Sequence, residues 1–317
     1  MKVTEHIQRA NDTLFSIEIL PPKKGENLQT LFHHIETLLD FKPSFVDVTY
    51  HREEYVYREM GNGMLKKIVT RKRPGTVGIC AAIQTKYNVD TVPHIICGGF
   101  SKEDTENMLI DLDFLGIHNV LLLRGDPVKS EPGFKPHPDG HCYATELIEQ
   151  VANLNKGIYL DNELLDPTPM HFCIGTAGYP EKHFESPNLN SDFYYLKKKV
   201  ELGAEFIVTQ MFFDNQVYFN FVKKCREAGI DVPIIPGIKP LSTIGHLTAL
   251  PTFFHLDIPE ALSKEVQKCK DNKQAREVGI EWCIQQCKEL KAFGVPCLHF
   301  YTMSKSEMVK KVAEALF

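Results

Sequence analysis

No stretch of this 317-residue chain is apolar for long enough to span a bilayer, and the N-terminal MKVTEHIQRANDTLF lacks the apolar centre of a signal peptide. A soluble, cytoplasmic protein is expected on both counts. Positive charge is not in excess: 36 Lys and Arg stand against 41 Asp and Glu, a formal net charge of −5. That balance argues against nucleic acid or an anionic membrane as the partner. No GxGxxG follows a first apolar run and no Walker A glycine loop occurs, so a nucleotide cofactor would bind outside a Rossmann crevice. The nine cysteines form no CxxC pair. Cys283 and Cys287 lie one helical turn apart, but no nearby histidine pair completes four zinc ligands, and no metal is expected. An odd count in a chain this long fits reduced thiols better than a disulfide scaffold. Internal repeats and low-complexity tracts are also missing.

What the chain does contain is eight short apolar runs separated by helix-length segments. They are Phe15 to Glu18, Phe45 to Tyr50, Val77 to Gln84, Val120 to Asp126, Met170 to Gly175, Phe206 to Gln210, Ile234 to Gly237 and Leu298 to Thr302. Val-, Ile-, Leu- and Phe-rich runs of this kind read as parallel strands buried on both faces. Eight of them predict an α/β protein: a (β/α)₈ TIM barrel, one catalytic domain over 1–317. The segment Leu241 to Gly294 exceeds one βα unit and predicts two or three extra helices near the C-terminus.

Such a barrel builds its site at the C-terminal ends of its strands. The tips are Glu18, Thr49-Tyr50, Gln84, Arg124-Gly125-Asp126, Gly178-Tyr179, Gln210, Gly237 and Tyr301-Thr302. Two long loops, Ser130 to His141 and Ala177 to Asp192, follow strands four and five and are expected to overhang this face; Asp161 to Pro169 is expected at the opposite end. Glu18, in FSIEILPPK, is a carboxylate at an apolar strand end, where desolvation raises proton affinity and suits it to donate a proton. The alternative is a buried ion pair that staples the barrel, for instance with Arg124. Gly125 lets backbone approach a flat or anionic ligand closely. The Gln210 amide carries both donors and acceptors and suits a ring edge. His94, in DTVPHIIC, reads as a satisfied structural histidine, and Tyr179 and His183, in GYPEKH, as groups that stack on a planar ligand or order their loop.

The ordered segments FSIEILPP, VDVTY, PHIIC, LLLRGD, CYATEL, AGYPEKH, LKKKVELGAEFIVTQMFFD, IIPGIKPL and LHFYT run from about Phe15 to Tyr301. As a set they resemble the 5,10-methylenetetrahydrofolate reductase family, in its short bacterial-type form without a C-terminal adenosylmethionine-binding region. The resemblance implies a barrel that holds FAD, a place in one-carbon metabolism and methionine biosynthesis, and a flavoprotein oxidoreductase. Its reaction would be ping-pong hydride transfer from NADH or NADPH through FAD to methylenetetrahydrofolate, giving 5-methyltetrahydrofolate. By the same resemblance Glu18 and Asp126 are catalytic, Glu18 by favouring protonation that opens the five-membered ring and Asp126 by its charge near the flavin. Gln210, Asp126 and Lys305 contact substrate. Thr49, Tyr50, His94, Arg124, Gly125, Asp126, Tyr143, Ala144, Tyr179, His183, Asp192 and Lys199 contact FAD. A homo-oligomer is implied too.

Two positions depart from the family pattern. Ile244 stands where several members carry an aromatic that stacks on nicotinamide and folate, and Lys305 replaces an arginine, keeping the charge without the bidentate fork. The first departure leaves open a FAD-carrying barrel subunit of a larger electron-transfer complex. A proline-dehydrogenase-like flavoenzyme is the other alternative on this scaffold.

Overall fold

Parallel strands need long crossovers, and this chain supplies a helix between almost every pair. A computed structural model describes residues 1–61, 63–70, 73–128, 131, 133–303 and 305–317. The barrel strands are β1 (Leu14–Ile19), β2 (Phe45–Val48), β5 (Asp90–Ile96), β6 (Asn119–Leu123), β7 (Cys173–Gly178), β8 (Phe206–Thr209), the short pair β9 (Ile234–Ile235) and β10 (Gly237–Ile238), and β11 (Cys297–Tyr301). Their order is β10-β11-β1-β2-β5-β6-β7-β8-β9, with every pairing parallel. β9 and β10 are halves of one stave divided at Pro236, which has no N–H to give a ladder. One half pairs with β8 and the other with β11, so the ring of eight staves closes through the split strand.

One expected stave is a helix. Val77 to Gln84 lies inside α3 (Thr76–Tyr87), which ends at Asn88 in the left-handed conformation (φ 52). Ile79, Cys80 and Ile83 bury one face of it at helical spacing. The third stave is instead β5, whose Pro93 disguises it. Pro93 stands where pairing with β2 ends, opposite Val48, and pairing with β6 begins at the next residue, so its missing N–H falls at a junction. Gln84 consequently leaves the mouth: its Nε2 donates to Gly116 O at 3.4 Å, on the outside of the ring. The fifth stave runs from Cys173 rather than Met170, and its tip remains Gly178-Tyr179.

Between β2 and α3 stands an unforeseen antiparallel hairpin, β3 (Glu54–Glu59) and β4 (Leu65–Thr70), with Tyr57 and Leu65 exposed. The outer layer continues with α2 (Leu28–Glu36), α4 (Lys102–Phe114), α5 (Ala144–Leu154), α6 (Leu189–Glu201) and α7 (Asn215–Glu227). As expected, three helices, α8 (His246–Phe254), α9 (Glu260–Gln267) and α10 (Asn272–Phe293), fill the segment before β11, and α11 (Ser306–Glu314) ends the chain. The N-terminal α1 (Val3–Arg9) plugs the bottom of the ring: Val3 joins the inner cluster of Phe45, Val92, Leu121 and Phe206, and its N–H donates to Asn119 Oδ1 at 2.8 Å. At the other end α10 holds the loop after β8. Gln286 Nε2 donates to Phe212 O at 2.9 Å and Trp282 Nε1 to Phe213 O at 3.0 Å. Among the described residues no helix is long and apolar enough to cross a membrane.

Two glycines give opposite expectations. A Cβ on Gly175 would stand 2.3 Å from Phe206 Cζ and 2.9 Å from Leu121 Cδ1. Gly175→Ala should therefore overpack the barrel and lower stability by about 1–3 kcal/mol. Gly78 lies inside α3 with nothing among the described residues within 4 Å of its Cβ position. Gly78→Ala should raise stability by about 0.5–1 kcal/mol through helix propensity. Urea unfolding of the two variants beside the parent measures both signs.

Candidate active site

Two carboxyls, two imidazoles and one ammonium meet inside the upper barrel. Glu18 is the last residue but one of β1, three before Pro21-Pro22, and Thr302 fixes the strand exit by donating its N–H and Oγ1 to Glu18 O, at 3.2 and 2.7 Å. The Glu18 side chain is 13% exposed. Burial, the dominant cause, pushes its pKa from 4.5 up to about 7; the nearby Asp47 adds repulsion, while His94 and Lys239 pull the other way. Asp47 is the register partner of Glu18 on β2, is wholly buried, and is pushed up to about 7, again by burial, with His299 opposing. His94 Nε2 stands between the two acids, 3.6 Å from Glu18 Oε2 and 3.4 Å from Asp47 Oδ2. Burial holds both His94 and His299 below the usual imidazole range. His299 Nδ1 bonds Ser16 Oγ at 2.9 Å, and its Nε2 has no partner among the described residues. Lys239, at the end of β10, is 9% exposed, and burial draws it down to about 8.

Arg124 is not the partner of Glu18. It pairs with Glu185 Oε2 at 2.5 Å and lies over the Phe134 ring at 4.9 Å. Among the described residues no arginine pairs with Glu18. Asp47, His299 and Lys239 were not among the residues singled out from sequence, though each carries a signal: a charged or ionisable residue inside an apolar strand run, in FVDVTY, LHFYT and IIPGIKP.

A second group gathers on the β6–β7 side. Tyr179 meets His183 edge to face at 4.6 Å, and Asp192 on α6 accepts from His183 N–H and Ser186 Oγ, both at 3.0 Å. Burial pushes the Tyr179 phenol up, with the charges of Asp126 and Asp192 adding to it. Lys199 Nζ donates to Ala177 O at 3.2 Å, and burial draws it down to about 8. Gly125 takes φ 85 at the tip of β6, where a Cβ would meet Ile96 at 3.1 Å. The start of α5, Tyr143-Ala144, comes near because Cys97, after β5, feels Glu146 and Cys142 as well as Arg124 and Lys199. Tyr143 places no side-chain cap on that helix and is 60% exposed. Thr49 donates to Ile19 O at 3.2 Å, and Tyr50 packs on Phe100. Both overhanging loops lie over this face: Glu131 pairs with Arg52 at 3.2 Å and Phe134 covers Arg124, although Ser130 and Pro132 lie outside the described residues.

Beside the first group, between the ends of β10 and β11 and helices α8 and α11, opens a cavity of about 270 Å³. Lys239 and Lys305 give it a cationic wall beside the imidazole of His246, while Tyr301, Phe253 and Phe254 give it an aromatic one. Burial and the two lysines hold His246 down to about 4. Gln210 lies in an adjoining cleft with Tyr179 and Glu181, its Oε1 accepting from Met211 N–H at 2.9 Å. Ile244 packs away into the apolar cluster of Met211, Phe213 and Leu241. Cys283 and Cys287 are buried along α10. The arrangement can deliver a proton from a buried acid to a ligand at the mouth and hold anionic groups on either side of it.

The family profile described as methylenetetrahydrofolate reductase matches residues 2–316. Among curated proteins, methylenetetrahydrofolate reductase 1 of Schizosaccharomyces pombe is 33% identical over 321 residues, covering 100% of this chain and 48% of that protein. The NADH-named reductase 1 of Arabidopsis thaliana is 32% identical, covering 96% and 49%. The 5,10-methylenetetrahydrofolate reductase of Escherichia coli is 30% identical, covering 95% and 90%. The chain thus spans about half the length of the eukaryotic relatives it matches. A solved structure from Clostridium thermocellum, described as binding two copies of 5-methyl-5,6,7,8-tetrahydrofolic acid, shares the fold with a TM-score of 0.57 at 13% identity, over 99% of this chain and 97% of that one.

The buried acids leave a mark on stability. Glu18 titrates in the folded protein at about 7 against an ordinary 4.5, so between those values the folded state holds more protons than the unfolded chain. Stability from this group therefore falls as pH rises through that window. Glu18→Gln removes the titration, and its stability relative to the parent should be higher at pH 8 than at pH 5 by about 1–3 kcal/mol. Urea unfolding at the two pH values reads the difference; an equal effect at both would place Glu18 in an ordinary, solvated setting.

Proposed function

The chain belongs to the methylenetetrahydrofolate reductase family, and on that premise we propose that it reduces 5,10-methylenetetrahydrofolate to 5-methyltetrahydrofolate at the barrel mouth, with FAD carrying hydride from NADH or NADPH. The observation that carries the reading is Glu18: a carboxyl at the first strand tip, buried so that it still holds a proton near pH 7. Opening the five-membered ring of the folate needs a proton on its departing amine nitrogen. Glu18 supplies it: the O–H bond breaks and the N–H bond forms, the bond from that nitrogen to the methylene carbon breaks with its electron pair going to the nitrogen, and the lone pair of the other ring nitrogen leaves the methylene as an electrophilic iminium.

The residues on the β6–β7 side fit FAD. Lys199 is a deeply set ammonium bonded to one carbonyl among the described residues, so an anion beside it offsets its lost hydration. Arg124 and His183 add donors next to it, and they and Lys199 would hold the pyrophosphate. Gly125, at φ 85 and with its Cβ position closed by Ile96, makes the tight turn that sets the backbone after β6 toward this side. Thr49, Tyr50, His94, Tyr143, Ala144, Tyr179 and Asp192 are the further proposed contacts. FAD, when bound, supplies the hydride-transfer chemistry. Asp126 sits at the β6 tip, exposed, where its charge faces Tyr179.

On the substrate side Gln210 and Asp126 read the pterin edge. The cationic wall of Lys239 and Lys305 receives the carboxylates at the far end of the folate. Ile244 does not weaken the nicotinamide step, because Phe253 and Phe254 of α8 present aromatic surface to the same cavity. A donor taken directly from solution is thereby favoured over a protein partner.

Anaerobic stopped-flow spectroscopy of the FAD-loaded protein tests this. NADH or NADPH should bleach the flavin, and methylenetetrahydrofolate should restore its colour. Glu18→Gln should slow the restoring step by about 10²–10⁴-fold and leave the bleaching step unchanged within a few-fold. Lys305→Met should raise KM for the folate about tenfold with kcat kept. Protein that takes up no FAD on reconstitution, or flavin that the folate does not reoxidise, overturns the reading.

A further inference from the structure

Asp47 is a buried carboxyl to which the reaction so far gives no task. It sits beside Glu18 in register on the neighbouring strand, and its Oδ2 shares with Glu18 Oε2 a single imidazole nitrogen, His94 Nε2, at 3.4 and 3.6 Å. Its Oδ1 has no partner among the described residues. One ring nitrogen carries one proton at most, so it cannot satisfy two carboxylates at once.

The charges that face the pair come from every element around it. Lys239 on β10 and the Tyr301 hydroxyl on β11 face Glu18. His299 and the Cys297 thiol on β11, with the Cys80 thiol on α3, face Asp47. Burial keeps the two imidazoles neutral and the thiols and phenol protonated near pH 7. Among the described residues Lys239 is then the one full positive charge set against two acids. A neutral cluster, the state a buried site prefers, keeps one proton on the two carboxyls.

We propose that Asp47 is a positioning residue for the proton donor: it shares one proton with Glu18 across His94, and its negative charge offsets that of Lys239 so that Glu18 can be protonated when folate arrives. The asymmetry of the pair supports the division of labour. Glu18, near the C-terminal end of β1, is 13% exposed, whereas Asp47 is at 0%. Without Asp47, Lys239 alone would balance an ionised Glu18, and the proton would be lost near neutral pH. With both Asp47 and Lys239 neutralised, Glu18 would again be a lone buried acid and would keep its proton. The inference rests on the proposed role of Glu18 as donor, and its tests include one that does not depend on turnover.

The first test is the pH profile of folate-dependent flavin reoxidation. Asp47→Asn should move the alkaline limb to lower pH by about one unit, a roughly tenfold loss of rate above the limb, with donor-dependent bleaching unchanged. Adding Lys239→Met to Asp47→Asn should return the limb to the parental pH or above at saturating folate. A loss of rate uniform across pH, or a limb that the second substitution does not restore, marks Asp47 as merely structural and overturns the proposal. The second test uses infrared spectroscopy of the buried carboxyl C=O band. In Glu18→Gln the remaining Asp47 band should disappear at lower pH than the parental bands, because Lys239 then balances Asp47 alone. An unshifted band overturns the proposal even if Asp47→Asn does not fold. If the parent itself fails to reoxidise with folate while the band shifts as expected, the donor reading of Glu18 fails and the pairing of the two acids stands.

Discussion

Folding two carboxyls into the wall of a closed parallel barrel sets the conditions for everything at its mouth. The backbone groups of the staves pair chiefly with those of neighbouring staves, so the side chains between them lose water while gaining few backbone donors. Glu18 and Asp47 are brought side by side by the β1–β2 register, a consequence of strand pairing rather than of their own attraction. Removing an ion from water costs several kcal/mol even after relaxation. Retaining a proton is the lower-energy outcome, and both acids accordingly reach about 7. A proton held at that pH can be given to a weakly basic nitrogen and recovered from solvent, which is the property a general acid needs.

Around this proton store the fold distributes charge by position. Lys239 comes from the half-stave after Pro236 and places its ammonium between Glu18 and the cavity. The cations Arg124 and Lys199, with the imidazole of His183, lie across the mouth on the β6–β7 side, where Asp192 of α6 orders the His183 loop. The wall between them is held by α10, which clamps the carbonyls of Phe212 and Phe213 and so fixes the segment after Gln210. Proton donor, anion cradle and aromatic wall therefore rest on different elements of one ring: Glu18 on β1, Lys199 on α6 and Arg124 after β6, Tyr301 on β11 and Phe253 and Phe254 on α8. The ring fixes their spacing.

Much of this was legible in the chain itself, and the gaps have physical causes. Seven of eight staves were recognisable because buried parallel strands concentrate Val, Ile, Leu and Phe. Val77 to Gln84 has the same composition, and an apolar run of that length does not distinguish strand from helix. Its boundaries decide: Gly75 precedes the first turn and Asn88 closes the last in the left-handed region. The hairpin went unseen although EYVYRE and LKKIVT carry β-branched and aromatic residues on either side of a Gly-Asn-Gly sequence, because a βα unit leaves no place for one. Glu18 could be read from its own strand, since an acid in an apolar run signals desolvation wherever it falls. Its neighbours could not, because attention to strand tips passes over Asp47, two residues short of Thr49, and the ring register alone decides that Glu18 faces His94 and Lys239 rather than Arg124.

The measurement that meets the central claim most directly is the titration of Glu18 itself. Carbon-13 NMR of protein labelled at the glutamate carboxyl, with the Glu18 resonance assigned by its loss in Glu18→Gln, reads the protonation of that one group between pH 4 and 9. The account predicts a midpoint at about 7 in the parent protein. A midpoint near about 4.3, the value for a carboxyl in water, would contradict it, because a Glu18 already ionised at neutral pH has no proton to give.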